Sequence, residues 1–467
     1  MVNWQKLASY LPEVTKPLKK KLGFNEKLKW TGITLVLYFI LLHIPLYGLG
    51  QNSLDQFEAL STILGASFGS LISLGIGPIV TASIVLQLLV GSGILNLDMT
   101  NPNDRAKFQA MQRITQVAFV ILEAIIYVFM GGLAPDPALF GTAAYLPLQL
   151  ALALQLFIGG YMLLLMDELV QKWGFGSGIG LFIAAGVSRQ IFITALSPLS
   201  SPTNPGVPTG RIPFLLQALQ TGDPIGAFVA VIAIVATIVV FMMAVYGQAM
   251  KVEIPLSFGR VRGYGIRWPL KFIYTSNIPV ILIAALLANL QLWARLLQNW
   301  GRPLLGTFVN GAPSTGLVKW LNSPNIVNSI VVGSATSEVV MQAVIYTAVM
   351  VIGSVFFSIM WVKTSNMGAD AQAKQILASG LQIPGFRRDP RVLEAILNRY
   401  IPALTVMGGA TVGFLAAFAD LSGALSRGTG ILLTVMIIYK LYEDIAKQHA
   451  YDMHPALRKF MAPDSSD

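Results

Sequence analysis

The chain has 467 residues, 54% of them hydrophobic and only 12% charged, where an ordinary soluble domain carries about 25% charged residues. Its mean hydropathy is +0.65, and no polar stretch exceeds a few tens of residues, which excludes a soluble domain of any size. The absence of cysteine excludes disulfides, thiolate metal sites and thiol catalysis, and the formal charge of +10 points to nucleic acid or to the cytoplasmic bias of a membrane protein.

The polar, basic arm 1–29 has no apolar run ahead of a small-residue site, so no cleavable signal is expected in it. Ten apolar spans follow, near 30–48, 71–91, 114–133, 146–170, 178–197, 224–247, 275–297, 338–362, 401–420 and 429–446. Between the first two, residues 54–67 are apolar but too short to cross, and Gly65 interrupts them, so they read as a re-entrant or capping segment. Residues 198–223 read as an external linker and 447–467 as a tail. Placing the arm inside puts 26 of the 32 lysines and arginines on one side, which predicts both termini cytoplasmic. Ten spans divide into halves 30–197 and 224–446. Five spans per half force the halves to point in opposite directions, as an inverted repeat. The second span of each half is broken by glycine or proline at matching places, Gly75-Ile-Gly-Pro-Ile-Val80 and Ser276-Asn-Ile-Pro-Val-Ile281. Such breaks mark a path at the repeat interface.

Two cytoplasmic loops stand out, 248–272 and 363–400. Within the first, 251–271 alternates apolar residues with cations around glycines and predicts a projecting hairpin. The second carries the basic run Gln382-Ile-Pro-Gly-Phe-Arg-Arg-Asp-Pro-Arg391. Both suit phosphate-rich RNA or anionic headgroups, or simply serve the positive-inside rule.

Chemistry is sparse. There is no Gly-Lys-Ser/Thr ending of a phosphate loop and no HExxH. The glycine-rich run Gly174–Gly180 follows no strand; its glycines suit close helix packing. The three histidines, His43, His449 and His454, are too scattered for a metal site. No cofactor and no catalysis are expected. Glu123 is the one carboxylate clearly at depth, with Thr81, Gln87 and Asn289 able to neighbour it if spans two, three and seven meet. Asp167, Glu168 and Asp420 fall at span ends, where water contact is the ordinary expectation. Ile76 and Val80, and Ile179 and Ile183, are i, i+4 pairs on one helical face. Either pair is packing or lipid-facing surface, or else a constriction that excludes ions by dewetting. An ion-coupled secondary transporter, a protein-conducting channel and a pore-free scaffold are all open at this point. The scaffold leaves the broken spans unexplained.

Four stretches carry a family resemblance: Gly75-Ile-Gly-Pro-Ile-Val with Gln87-Leu-Leu, Gly176-Ser-Gly-Ile-Gly-Leu-Phe-Ile183, Tyr274-Thr-Ser-Asn-Ile-Pro-Val-Ile281 and Pro384-Gly-Phe-Arg387. In order and spacing, over nearly the whole chain, they resemble the SecY protein-translocation channel family, with loop wording closer to archaeal and eukaryotic members. The resemblance implies an all-α polytopic membrane protein of ten helices in two inverted halves, with a short re-entrant plug helix. It further implies a pore ring of Ile76, Val80, Ile179, Ile183, Ile281 and Leu433, the last resting on Gly428-Thr-Gly-Ile-Leu-Leu433. The plug would be 54–67, with Leu54, Phe57, Leu60, Ile63 and Leu64. Spans two and seven would form a lateral gate with Thr81, Glu123 and Asn289 as its polar cluster. Arg260, Arg262, Arg267, Arg387 and Arg388 would dock the ribosome or another partner. Implied partners are a SecE/gamma-like subunit, a small beta subunit, the translating ribosome, signal sequences and nascent polypeptides, and membrane lipid, but no DNA. The implied location is the cell membrane.

Overall fold

The computed structural model describes residues 4–18, 22–52, 54, 64–97, 101–200, 206–258, 265–309, 312–331, 333–378, 381–382 and 390–453. A long helix stands on each of the ten expected spans. In order these are Phe24–Leu42, Gly77–Gly91, Pro102–Phe129, Tyr145–Trp173, Gly178–Leu196, Pro224–Ala249, Ile278–Asn299, Ser337–Thr364, Pro390–Leu421 and Gly428–Met453, numbered spans 1 to 10 below. The chain is an all-α polytopic membrane protein. Among the described residues, seven of the ten helices are long and apolar enough to cross a bilayer by length and composition alone. Span 2 is a shorter apolar helix, while spans 1 and 10 carry charged residues toward one end.

The helices start where the sequence provides starts. Asn101, Asp223 and Thr336 cap spans 3, 6 and 8 with side-chain oxygens, and Pro78, Pro102, Pro224 and Pro279 sit in first turns, where their missing N–H costs nothing. Several boundaries differ from expectation. Span 1 runs 24–42, six residues early, because His43 ends it ahead of Pro45 and the left-handed Gly48. Span 2 starts only at Gly77. Span 9 starts eleven residues before 401 and continues through Pro402, because its first turns are amphipathic and bury Leu393, Leu397 and Ile401. The stretch 198–223 holds a short helix, Arg211–Thr221.

The packing repeats. Within the first five spans the contacting pairs are 1–4, 1–5, 2–3, 3–4 and 4–5; within the second five they are 6–9, 6–10, 7–8, 8–9 and 9–10, to which span 7 adds contacts with spans 9 and 10. Each pair of the first half has its counterpart in the second at an offset of five. The halves meet along two seams: spans 2 with 7 and 8, and spans 5 and 1 with 10. Burial fits this plan, since span 7 is 72% buried over its most apolar window and span 6 only 22%. Span 7 lies inside a seam; span 6 turns Val235, Ile238 and Phe241 outward, as a lipid-facing helix does.

On the side predicted to be cytoplasmic, strands Lys251–Phe258 and Gly265–Lys271 form the expected antiparallel hairpin. The two basic loops, expected as separate protrusions, share this sheet: Ser257 and Phe258 also pair with Gln382 and Leu381. Ile254 and Leu270 of the hairpin, helix Ala369–Ala378 and the start of span 9 close a small second core. The hairpin base is tied to span 10 by Lys271, which pairs with Glu443 at 2.5 Å and lies over the Tyr439 ring at 5.9 Å. The N-terminal arm is strapped across spans 3 and 4. Tyr161 donates to the Pro12 carbonyl (3.1 Å) and Trp173 to that of Thr15 (2.8 Å). Glu13 and Glu168 both pair with Arg113 and Lys172.

Candidate functional site

The two broken spans share one local backbone. Gly75 has φ +57° and Ser276 φ +58°. The next residues, Ile76 (φ −84°, ψ −2°) and Asn277 (φ −87°, ψ −8°), both lead into a helix whose first turn contains Pro78 or Pro279. Ser276 is one of two non-glycine residues with positive φ among the described residues, a conformation side chains seldom adopt. The breaks therefore set where each helix begins, and the second span of each half begins in the same way. Val80 and Ile281 lie four residues beyond Ile76 and Asn277 and are counterparts.

Spans 5 and 10 repeat in the same sense. They begin at Gly178 and Gly428, and Gly180 and Gly430 follow two residues on. A Cβ on Gly180 would meet the Ile437 side chain at 3.5 Å, and one on Gly430 would meet Val187 at 3.1 Å. Each glycine thus faces the residue seven positions beyond the other, a reciprocal contact expected of two elements related by a two-fold axis. Ile183 and Leu433 are counterparts, each five residues beyond its helix start.

The six aliphatic residues singled out in the sequence all belong to the large hydrophobic core that extends over the ten spans. Ile76, Val80, Ile183, Ile281 and Leu433 are buried in it, and Ile179 is half-buried against it. A cavity of about 480 Å³ opens on one side. Val80, Ile179 and Ile281 line it, with polar groups from Ser83, Gln87 and Asn277. Lys440 and Asp444 of span 10 also line it, which places its mouth at the predicted cytoplasmic end.

Next to Ile76 lies the end of the segment 54–67. Its backbone N–H donates to the Leu64 carbonyl at 2.7 Å. Tyr38 donates to the Gly65 carbonyl at 3.1 Å and stacks on Phe182 with ring centroids 4.9 Å apart. Leu54 and Leu64 are buried; Phe57, Leu60 and Ile63 lie outside the described residues. The Tyr38–Phe182 socket was not expected, since an aromatic in a span gives no signal of a partner 144 positions away.

At the seam of spans 2 and 7, Asn289 donates to Thr81 Oγ1 at 2.7 Å, and Thr81 donates to the Gly77 carbonyl at 2.8 Å. The open side of Gly77 faces Asn289 Oδ1 and Glu123 Oε2 together, so Thr81, Glu123 and Asn289 do converge. Both Glu123 oxygens and Asn289 Oδ1 have no hydrogen-bond partner among the described residues. Gln87, expected as a fourth neighbour, lines the cavity instead. Of the five arginines expected to dock a partner, Arg267 stands on the hairpin with its side chain 80% exposed and pairs with Glu253 at 3.2 Å. Its hydrogen bond holds the Glu253 carboxyl below the usual carboxylate range. Arg260, Arg262, Arg387 and Arg388 lie outside the described residues.

One expectation about acids is corrected. Asp167 is buried rather than wet, and Asp420 is half-buried. Both carboxylates accept hydrogen bonds from a neighbouring helix start. Glu168 is half-covered by its two ion pairs.

Two half-repeats of membrane helices enclose a cavity between them, and a segment with buried Leu64 abuts Ile76. That arrangement defines a transmembrane channel. The sequence profile of the SecY family matches residues 70–442, and that of the plug domain of Sec61p matches residues 36–69. The chain belongs to the SecY family. It is 48% identical to the protein translocase subunit SecY of Methanothermobacter thermautotrophicus over 98% of each chain. A solved protein conducting channel superposes with a TM-score of 0.83 at 43% identity, covering 97% of this chain and 99% of that one. Sec61 in the canine ribosome–channel complex from the endoplasmic reticulum gives 0.80 at 42% identity, with 97% and 99% covered. None of these three is an ion-coupled carrier.

Proposed function

We propose that unfolded polypeptide passes between the two half-repeats, from the cavity through a waist formed by Ile76, Val80, Ile179, Ile183, Ile281 and Leu433. The observation that carries this reading is the cavity lined from both halves, with Val80, Ile179 and Ile281 among its lining residues. An aliphatic waist suits a substrate of every sequence: it offers no hydrogen bonds to hold a chain and closes to ions by dewetting. The segment 54–67 acts as a plug, and the hydrogen bond from Ile76 to Leu64 joins it to the waist. The seam of spans 2 and 7 opens toward lipid to release signal sequences and membrane segments. Asn289 and Thr81 hold it shut with a bond worth about 0.5–1.5 kcal/mol. The channel works in the cell membrane with both termini in the cytoplasm, as the one-sided distribution of cations supports, and assembles with SecE/gamma-like and small beta subunits.

The two basic loops, joined in one sheet, dock the translating ribosome; the likeness to Sec61 in the canine ribosome–channel complex supports this partner. Phosphate contacts are electrostatic and salt-dependent. Charge reversal at Arg262, Arg267 and Arg387 together is expected to weaken ribosome binding at least tenfold at about 0.1 M salt and to flatten its salt dependence. Equal affinity for the variant and the parent at matched salt would remove the docking role. The conduit itself is tested by what a chain arrested in transit touches at the waist.

A further inference from the structure

We infer that Asp167 and Asp420 are paired positioning residues that fix the height of the two pore-lining spans 5 and 10. The inference rests on reading Ile183 and Leu433 as part of the waist. Asp167, near the end of span 4, accepts from the Ile179 backbone N–H at 2.9 Å and from Gln171 Nε2 at 2.8 Å. Asp420, at the end of span 9, accepts from the Thr429 N–H at 2.7 Å through Oδ1. Its Oδ2 accepts from the Tyr346 hydroxyl at 2.6 Å and from the Thr429 hydroxyl.

Each carboxylate therefore sits at the first turn of the next helix, where backbone N–H groups lack partners within the helix and the dipole favours negative charge. Ser177, which precedes span 5, makes no side-chain cap of its own. The bonded residue lies four positions before the waist residue in both cases, Ile179 before Ile183 and Thr429 before Leu433. Those pairs share a helical face, one turn apart. A shift of either helix along its axis would have to break its carboxylate bond. The glycines that start the helices make the approach close enough: a Cβ on Gly178 would lie 2.5 Å from the Asp167 Cα, and one on Gly428 would lie 2.0 Å from the Ala419 carbonyl carbon. Because the halves are inverted, one anchor holds its span from the cytoplasmic side and the other from the outside. The waist is thus held from both faces.

The test compares Asp167→Ala, Asp420→Ala, the corresponding Asn variants and Tyr346→Phe, reconstituted with the partner subunits, by ion conductance of the resting channel in planar bilayers. The Ala variants are expected to leak at least fivefold more than the parent. The Asn variants, which keep one oxygen to accept the backbone N–H, are expected to stay within twofold. Tyr346→Phe, which leaves both carboxylates and the whole waist in place, is expected to fall between. It also stands as the readable variant if an Ala protein does not fold. Ile183→Asn serves as the reference. Leak from that variant alone, with the Ala variants and Tyr346→Phe at the parent level, overturns the positioning role and leaves the waist intact. No leak from Ile183→Asn overturns the waist itself. Asn variants that leak as much as Ala variants would show that charge, not the backbone bond, is what matters, and would also overturn the inference.

Discussion

Ile183→Asn is expected to raise the resting ion conductance of the channel about tenfold or more. Ile183 is fully buried, and at the proposed waist the barrier to ions is the cost of wetting an apolar ring. Burying such a side chain is worth about 1.5–3 kcal/mol, and about 1.4 kcal/mol is a tenfold change. One exchange to a group that binds water is therefore enough to show. Ile179→Asn should act in the same direction but less, because Ile179 already borders the cavity. Ile238→Asn, on the outward face of span 6, is the control and should leave conductance unchanged. Equal leak from Ile183→Asn and the control would show that the change is general damage.

Gly75→Ala should be strongly disruptive for the addition of a single methyl. At φ +57° an alanine is strained, and its methyl would lie 2.3 Å from the Leu64 carbonyl oxygen and 2.7 Å from the Ala66 Cβ. Strain of this kind costs about 1–3 kcal/mol, and loss of the adjoining bond from Ile76 to Leu64 adds about 1 kcal/mol. The cost falls on the contact between the plug segment and the waist, so the closed state should lose most of its advantage. Resting conductance should rise, and thermal unfolding in detergent should come earlier. Gly180→Ala is the matched comparison. Its methyl would meet Ile437 at an ordinary 3.5 Å with no unusual φ, and it should be close to neutral. If the two variants behave alike, the join between Leu64 and Ile76 is not what closes the channel.

Much of the plan could be read from local pattern. Ten apolar runs, the charge asymmetry and two matched breaks led to two half-repeats, and alternation around glycines led to the hairpin. The i, i+4 aliphatic pairs pointed to a waist only through the family resemblance, because spacing cannot tell a constriction from packing, and the waist stands as a proposal. What was not legible depends on partners distant in the chain. Ser276 carries a left-handed backbone that nothing in its own residue type announces; its counterpart Gly75 does announce it. The pairing of Phe258 with Leu381 joins two loops separated by span 7 and span 8. Asp167 and Asp420 looked like wet span ends because burial depends on which helix start comes to rest against them. Span 9 began early because a hydropathy reading drops an amphipathic turn that is buried against the small second core, not in lipid.

The most direct measurement places a photocrosslinker at positions 80, 183 and 281, one at a time, and presents the channel with a ribosome-arrested secretory chain. Adducts between the nascent polypeptide and all three positions, and none from a probe at 238, are the expected result. Adducts at 238 with none at 80, 183 or 281 would contradict passage between the two half-repeats.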